Sequence, residues 1–357
     1  LILRRVCALV ALAALCAGCA RQANTTVSTS ASPTPTPTPA VANPLNGMLV
    51  PPAAIGHRIA AVMVDNFPDA RPQSGLHDAD LVYEVEAEGG ITRYLALFLG
   101  TAAAEVGPVR SARTYFVDLA RPYDPYFAHA GQNDDVIEFL AGLRAAGFAD
   151  MDEIQHTPEA FWRDDTRDMP HNLYTSIVRI RKVGPTYGYA DKAYAGDQFS
   201  YAQRAPAVSP DSADSPRPSP SGTPALIPEA IVSFWLEYDV HFVWDGAAYE
   251  RFIDGDAQHD RDDDRPYEVS DIVVVWIPAK VLDSIGDLSM DVYGSYPAVL
   301  VQAGHASTGK WVAAGATTLP QLEDDSGSPM RLTPGQIYVE VMPQGSSLKI
   351  GKLSFTH

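Results

Sequence analysis

Between residues 44 and 200, short apolar or alternating runs bounded by turn residues predict strands at 58–65, 81–86 and 94–99. Apolar positions at helical spacing predict helices at 111–119, 134–146 and 172–182, with Val136, Ile137, Leu140 and Leu143 on one face of the second. Beyond residue 229 the pattern is almost wholly of strand type. It predicts strands at 230–238, 240–244, 249–253, 271–277, 299–303, 310–318 and 336–341. Strands mixed with helices, then a run of strands, give an α+β fold class: an α+β region at 44–200 and a β-rich region at 229–357.

Three segments lie outside this pattern. Residues 1–18 carry Arg4 and Arg5 followed by an apolar run at 6–17, too short to span a bilayer but suited to a cleaved signal peptide. The run ends in Leu15-Cys16-Ala17-Gly18-Cys19, small residues before a cysteine, as at a bacterial lipoprotein cleavage site. Cys19 is therefore the expected lipidation site, and the outer face of the cell membrane the expected location. Secretion is the outcome if the site is not used. Two acyl chains on Cys19 would hold the protein stably to the membrane, where one would not. Residues 19–43, with the repeat PTPTPTP, cannot bury a core; they predict an extended stalk of roughly 60–70 Å at about 3.1 Å per residue. Residues 201–228, equally rich in Pro and Ser, predict a disordered insertion or linker.

Composition narrows the chemistry. The cysteines are Cys7, Cys16 and Cys19; with the signal removed and Cys19 lipidated, no thiol remains for disulfides, thiolate metal sites or cysteine nucleophiles. The net charge of −18 excludes nucleic acid as a partner and disfavours anionic lipid.

Polar residues gather in the Gly- and Pro-rich turns 65–76, 83–94, 107–116, 129–135 and 161–174. Arg110 and Arg113 flank a predicted helix start, where free backbone N–H groups and guanidinium forks together suit a phosphate or carboxylate. Arg93, Glu84, Glu88, His129, Arg163, His171 and Asn172 complete the candidate ligand site. The alternative is a network in which the arginines pair with Glu84, Glu86 or Glu88. His129, Asp134, Asp135 and His171 are the candidate acid–base residues of a hydrolase, although Asp134 and His171–Asn172 also stand where helix caps are expected. No motif implies a resident metal or cofactor.

Three matches are decoys. Gly304 to Lys310 imitates a phosphate loop, but Trp311 replaces the Mg²⁺-binding hydroxyl and no helix follows. Ser307 to Lys310 is S-x-x-K without its companion elements. The acidic loop 254–264 breaks the calcium-hand pattern at His259 and Arg265, and reads as a solvated turn.

The segments AVMVDNFPDARPQSGL, YEVEAEGGITRYLALF, VGPVRSARTYFVDLA, HAGQ and FWRDDTRDMPHNLYTS resemble the YerB-like bacterial lipoproteins, a family of unknown molecular function. YERFIDGDAQHD and LTPGQIYVEVMP resemble that family's second half. The resemblance implies a layered, sandwich-type α+β fold for the N-terminal region and an extracytoplasmic address, and assigns no catalytic residue. A non-catalytic envelope lipoprotein binding an anionic ligand or partner, such as cell-wall glycopeptide or a wall-assembly protein, is the leading expectation. An extracytoplasmic hydrolase of wall polymer is the alternative.

Overall fold

The long apolar runs of both halves end up in one sheet. In the computed structural model, which describes residues 40–202, 228–235 and 238–357, five strands come from the first half: β1 (Ala60–Asp65), β2 (Leu81–Glu86), β3 (Thr92–Phe98), β4 (Tyr126–His129) and β5 (Ala149–Asp152). The second half adds β6 (Glu229–Ser233), β7 (Asp239–Trp244), β8 (Tyr249–Ile253), β9 (Asp271–Ile277), β10 (Gly294–Gln302), β11 (His305–Ala313), β12 (Gln321–Glu323), β13 (Ile337–Pro343), β14 (Ser347–Ile350) and β15 (Leu353–Thr356). The central sheet has ten strands in the order β12-β11-β10-β9-β13-β2-β3-β1-β4-β5. Its middle joint is β13 beside β2, parallel, with Ile337 opposite Leu81 and Glu340 opposite Glu84.

Each central strand buries both faces, so alternate residues serve two cores. Leu81, Tyr83 and Val85 of β2, with Val339 and Val341 of β13, join one core with Tyr115 to Ala120 of helix α1 (Thr114–Ala120) and with Val136 and Leu140 of α2 (Asp134–Ala145). Val82, Tyr94, Tyr338 and Met342 join the other, with Phe242 and Tyr249 of the second sheet and Ile177 and Ile180 of α3 (Ile177–Val183). That second sheet is antiparallel and runs β8-β7-β6-β14-β15, with the short strand 256–257 at its β8 edge. The fold is α+β with strand dominant, and Pro39–His357 form one compact unit.

Most expected elements stand within a few residues of their predicted bounds; two points differ. Residues 172–175, assigned to a helix, supply instead the strand Leu173–Thr175, and the helix begins at Ile177 behind Ser176, whose hydroxyl accepts the Arg179 N–H. Leucine and the β-branched and aromatic residues before Ser176 suit a strand better. The strands β4, β5, β12, β14 and β15, each of three or four residues, were absent from the prediction. Gly304 to Lys310 is the turn and strand of the β10–β11 hairpin, as expected for a decoy. The signal, Cys19 and most of both Pro-rich segments lie outside the described residues. No helix among the described residues is long and apolar enough to cross a membrane.

Candidate functional site

The strands β5, β4, β1, β2, β13 and β9 run parallel to one another, separated only by antiparallel β3, so their C-terminal ends share one edge of the sheet. In open sheets of this kind ligands bind at that edge. Asp152, His129, Asp65 and Glu86 are the last residues of β5, β4, β1 and β2. The segment 107–113 crosses the same edge: the Arg110 N–H donates to Met63 O and the Ala130 N–H to Arg110 O.

The predicted site residues separate into four groups. In the first, buried Asp65 holds two of them: His171 Nδ1 lies 2.7 Å from Asp65 Oδ2 and Arg110 Nε 3.1 Å from the same oxygen. The Phe67 N–H donates to Asp65 Oδ1, and the Phe67 ring stacks on the imidazole at 5.1 Å between centroids and 12° between planes. The outer guanidinium nitrogens of Arg110 and Nε2 of His171 make no hydrogen bond or ion pair among the described residues. Asn172 does not join them; its Oδ1 accepts from Arg163 Nη1 at 3.0 Å, and Arg163 also pairs with Glu153 at 3.4 Å.

The second group is a self-neutralised network. Arg93 and Arg113 clasp the two oxygens of Glu88, the latter at 2.7 Å, while Arg113 Nε lies 3.7 Å from Asp287 and Arg93 Nη1 donates to Ser111 O. Burial favours the neutral Glu88 acid, but the two guanidinium groups outweigh it and hold its pKa below the ordinary value. The anion site expected from Arg113 at the helix start is therefore already filled by protein carboxylates. Asp134 and Asp135 occupy the first turn of α2 behind Asn133, away from either histidine's carboxylate partner, so they neither cap nor complete an acid–base pair.

His129 forms the third group and is structural. Its Nε2 lies 2.7 Å from Asp150 Oδ1 and its Nδ1 3.0 Å from Gly131 O, within a fully buried pocket. Gly131 (φ +71°) makes the turn that brings its carbonyl to the ring. Burial disfavours the imidazolium, yet Asp150 and Asp152 more than offset it and raise the histidine pKa. Asp150, bridged also to Arg144, is held below the ordinary carboxylate range despite its burial. With both ring nitrogens engaged, His129 has no free base.

Glu84 belongs to the fourth group, between the two sheets. It accepts from Thr92 Oγ1 (2.6 Å), Tyr238 Oη (3.0 Å) and Asn66 Nδ2 (3.2 Å), and pairs with Arg251. Arg251 is enclosed by the rings of Tyr94, Phe242 and Tyr338 at 5.3, 5.9 and 5.6 Å. Burial, reinforced by the Glu84 charge, pushes the neighbouring Glu340 carboxyl well above its ordinary value. Arg251 thus pairs with Glu84, while the Glu340 carboxyl makes no hydrogen bond among the described residues.

Asp65, Asp150, Asp287, Arg251 and Glu340 were not among the residues singled out by sequence. The acidic loop 254–264 is tied to its surroundings: Asp263 pairs with Arg265, which also pairs with Asp78, and Arg261 within the loop pairs with Asp164.

Against this geometry, residues 45–190 match the N-terminal domain, and residues 231–339 the C-terminal domain, of a protein family of unknown function, DUF3048. The chain belongs to this YerB-like family. It is 31% identical over 312 residues to "Putative lipoprotein YerB" of Bacillus subtilis (strain 168), covering 87% of this chain and 88% of that protein. The crystal structure of YerB from Bacillus subtilis superposes with a TM-score of 0.72 at 27% identity, over 87% of this chain and 99% of that one. The family match spans both halves, as the shared sheet requires.

Proposed function

We propose that the chain is a lipoprotein anchored through Cys19 on the outer face of the cell membrane, where it binds an anionic group of a ligand or partner at Arg110 and His171. The name of the Bacillus relative and the Leu15 to Cys19 pattern support the anchor. One observation carries the binding reading: a buried carboxylate, Asp65, orients both a guanidinium and an imidazole whose outer nitrogens are unspent. A carboxylate or phosphate would take charge-assisted hydrogen bonds from both. Cell-wall glycopeptide, or a wall-assembly protein presenting an acidic group, is the candidate partner.

Calorimetric titration of soluble wall glycopeptide fragments into the protein tests this. Arg110→Ala and His171→Ala are expected each to weaken binding about tenfold or more, the worth of one charged hydrogen bond, and Arg163→Ala to change it little. Unaltered binding by folded Arg110→Ala and His171→Ala variants would falsify the proposal.

The Asp65–His171 pair also supports a second reading, since a carboxylate on Nδ1 is how a general base is oriented. In that case the hydrolase base is His171 with Asp65, not His129 with Asp134 or Asp135. Product release from wall polymer that disappears in Asp65→Asn while glycopeptide binding persists would select it.

A further inference from the structure

The sheet edge carries a second feature that the anion site does not use. Leu282, Asp283, Ile285, Asp287 and Leu288 face Asn133, Asp134, Asp135, Arg113 and Thr114 across an open cleft of about 470 Å³. Large aliphatic side chains of its lining stand exposed, Ile285 (69%) and Leu282 (60%), and exposed Val281 directly precedes them in the chain. Isolated exposed apolar residues need no explanation, whereas several gathered at one cleft mark an interaction surface.

Their display is built into the fold. Asp283 Oδ1 accepts the N–H groups of Ile285, Gly286 and Asp287, and Asn133 Nδ2 donates to Asp287 Oδ2 at 2.6 Å, tying the loop to α2. Gly286 (φ +88°) rests against the Gly89 turn, where a Cβ would come within 2.9 Å of the Gly89 amide nitrogen. The aliphatic groups are thus held outward before any partner arrives, which lowers the entropic cost of binding. Asp134, Asp135 and Asp283 give the rim its charge, and the one cation lining the cleft among the described residues, Arg113, is spent on Glu88 and Asp287.

We infer that this cleft docks a basic polypeptide segment of another protein, with one or two aliphatic side chains seated against Leu282 and Ile285 and lysine or arginine facing Asp134, Asp135 and Asp283. Charge complementarity selects a basic partner and disfavours an anionic membrane surface. This docking surface does not rest on the anion-binding reading.

A synthetic amphipathic lysine–leucine peptide, titrated against the full chain and followed by peptide fluorescence anisotropy, tests the inference. Binding is expected, weakening as salt rises from ~0.05 to ~0.3 M. The surface variant Leu282→Glu/Ile285→Glu should lose about tenfold or more in affinity, and Asp134→Asn/Asp135→Asn should bind more weakly with a flatter salt dependence. Arg110→Ala/His171→Ala should bind like the parent, which separates this surface from the anion site. Absence of binding, equal binding by the Leu282/Ile285 variant, or equal affinity for a lysine-only peptide would each overturn it.

Discussion

Glu84, Glu340 and Arg251 show what a few side chains demand of the rest of the molecule. A charged carboxylate between two sheets is tolerated only with a counter-ion and hydrogen bonds; here Arg251 and Tyr238 come from across the sheet interface and Thr92 from the neighbouring strand of the same sheet. Arg251→Ala leaves Glu84 buried without its cation and opens space among three rings; it is expected to cost ~3–5 kcal/mol in urea unfolding. Glu340→Gln keeps the size of a carboxyl whose charged form burial and the Glu84 charge disfavour, and should cost under ~1 kcal/mol. The reverse ranking would refute this account of the charges. Asp271 makes a related case. Burial, only partly offset by the Thr333 N–H, raises its carboxyl to about 7. The folded state therefore binds this proton more tightly than the unfolded chain does, and stability should fall as pH rises from the ordinary carboxylate range to about 7. Asp271→Asn should flatten that part of a plot of urea midpoint against pH.

At the level of elements, the decisive contact is β13 in parallel beside β2. It makes the two family-matched regions halves of one sheet and not separate beads. Cutting the chain at a protease site placed between residues 203 and 227 should leave the fragments eluting together in size-exclusion chromatography. Residues 40–202 expressed alone should aggregate, because β2 then presents an unpaired edge along a buried strand rich in Leu, Val and Tyr. Separate elution of two folded fragments would contradict the shared sheet. Much of this was legible in the sequence: β2, β8 and β9 match their predicted spans because each is a run of suitable residues bounded by turns. Strands β4 and β5 were not legible, since Tyr126–His129 and Ala149–Asp152 are too short to show a period and acquire strand geometry by pairing with β1 and with each other. The site divides in the same way. Arginines and histidines in Gly-rich turns signalled polar chemistry, but their partners are set by the tertiary fold: Asp65 lies 106 residues from His171, and Glu84 167 residues from Arg251.

For the molecule as a whole, charge and burial act together. Burial raises Asp80 to about 6 and Glu86 to about 7, against backbone hydrogen bonds that oppose it, and carboxylates around His129 raise that histidine. Each group binds its proton more tightly in the folded state, so each withdraws stability as pH rises between roughly 4 and 8. Asp150, held low by His129 and Arg144, acts oppositely only at pH below about 4. The net charge of −18 adds self-repulsion at neutral pH. The melting temperature should be highest near pH ~5 and several degrees lower at pH ~8, with added salt recovering part of the difference. A melting temperature that rises from pH ~5 to ~8 would contradict this assignment of protons.

The joint between β2 and β13 also bears on how the chain is made. Polypeptides emerge from their N-terminal end, so β2 appears about 250 residues before the strand that closes its edge. At ordinary synthesis rates that interval is on the order of tens of seconds. Throughout it, an apolar strand edge and an uncovered sheet face wait for a neighbour still being assembled. Such an intermediate invites mispairing with other nascent copies. A holdase that covers the first half until residue 343 is free would raise the yield of this fold more than any single stabilising substitution within it.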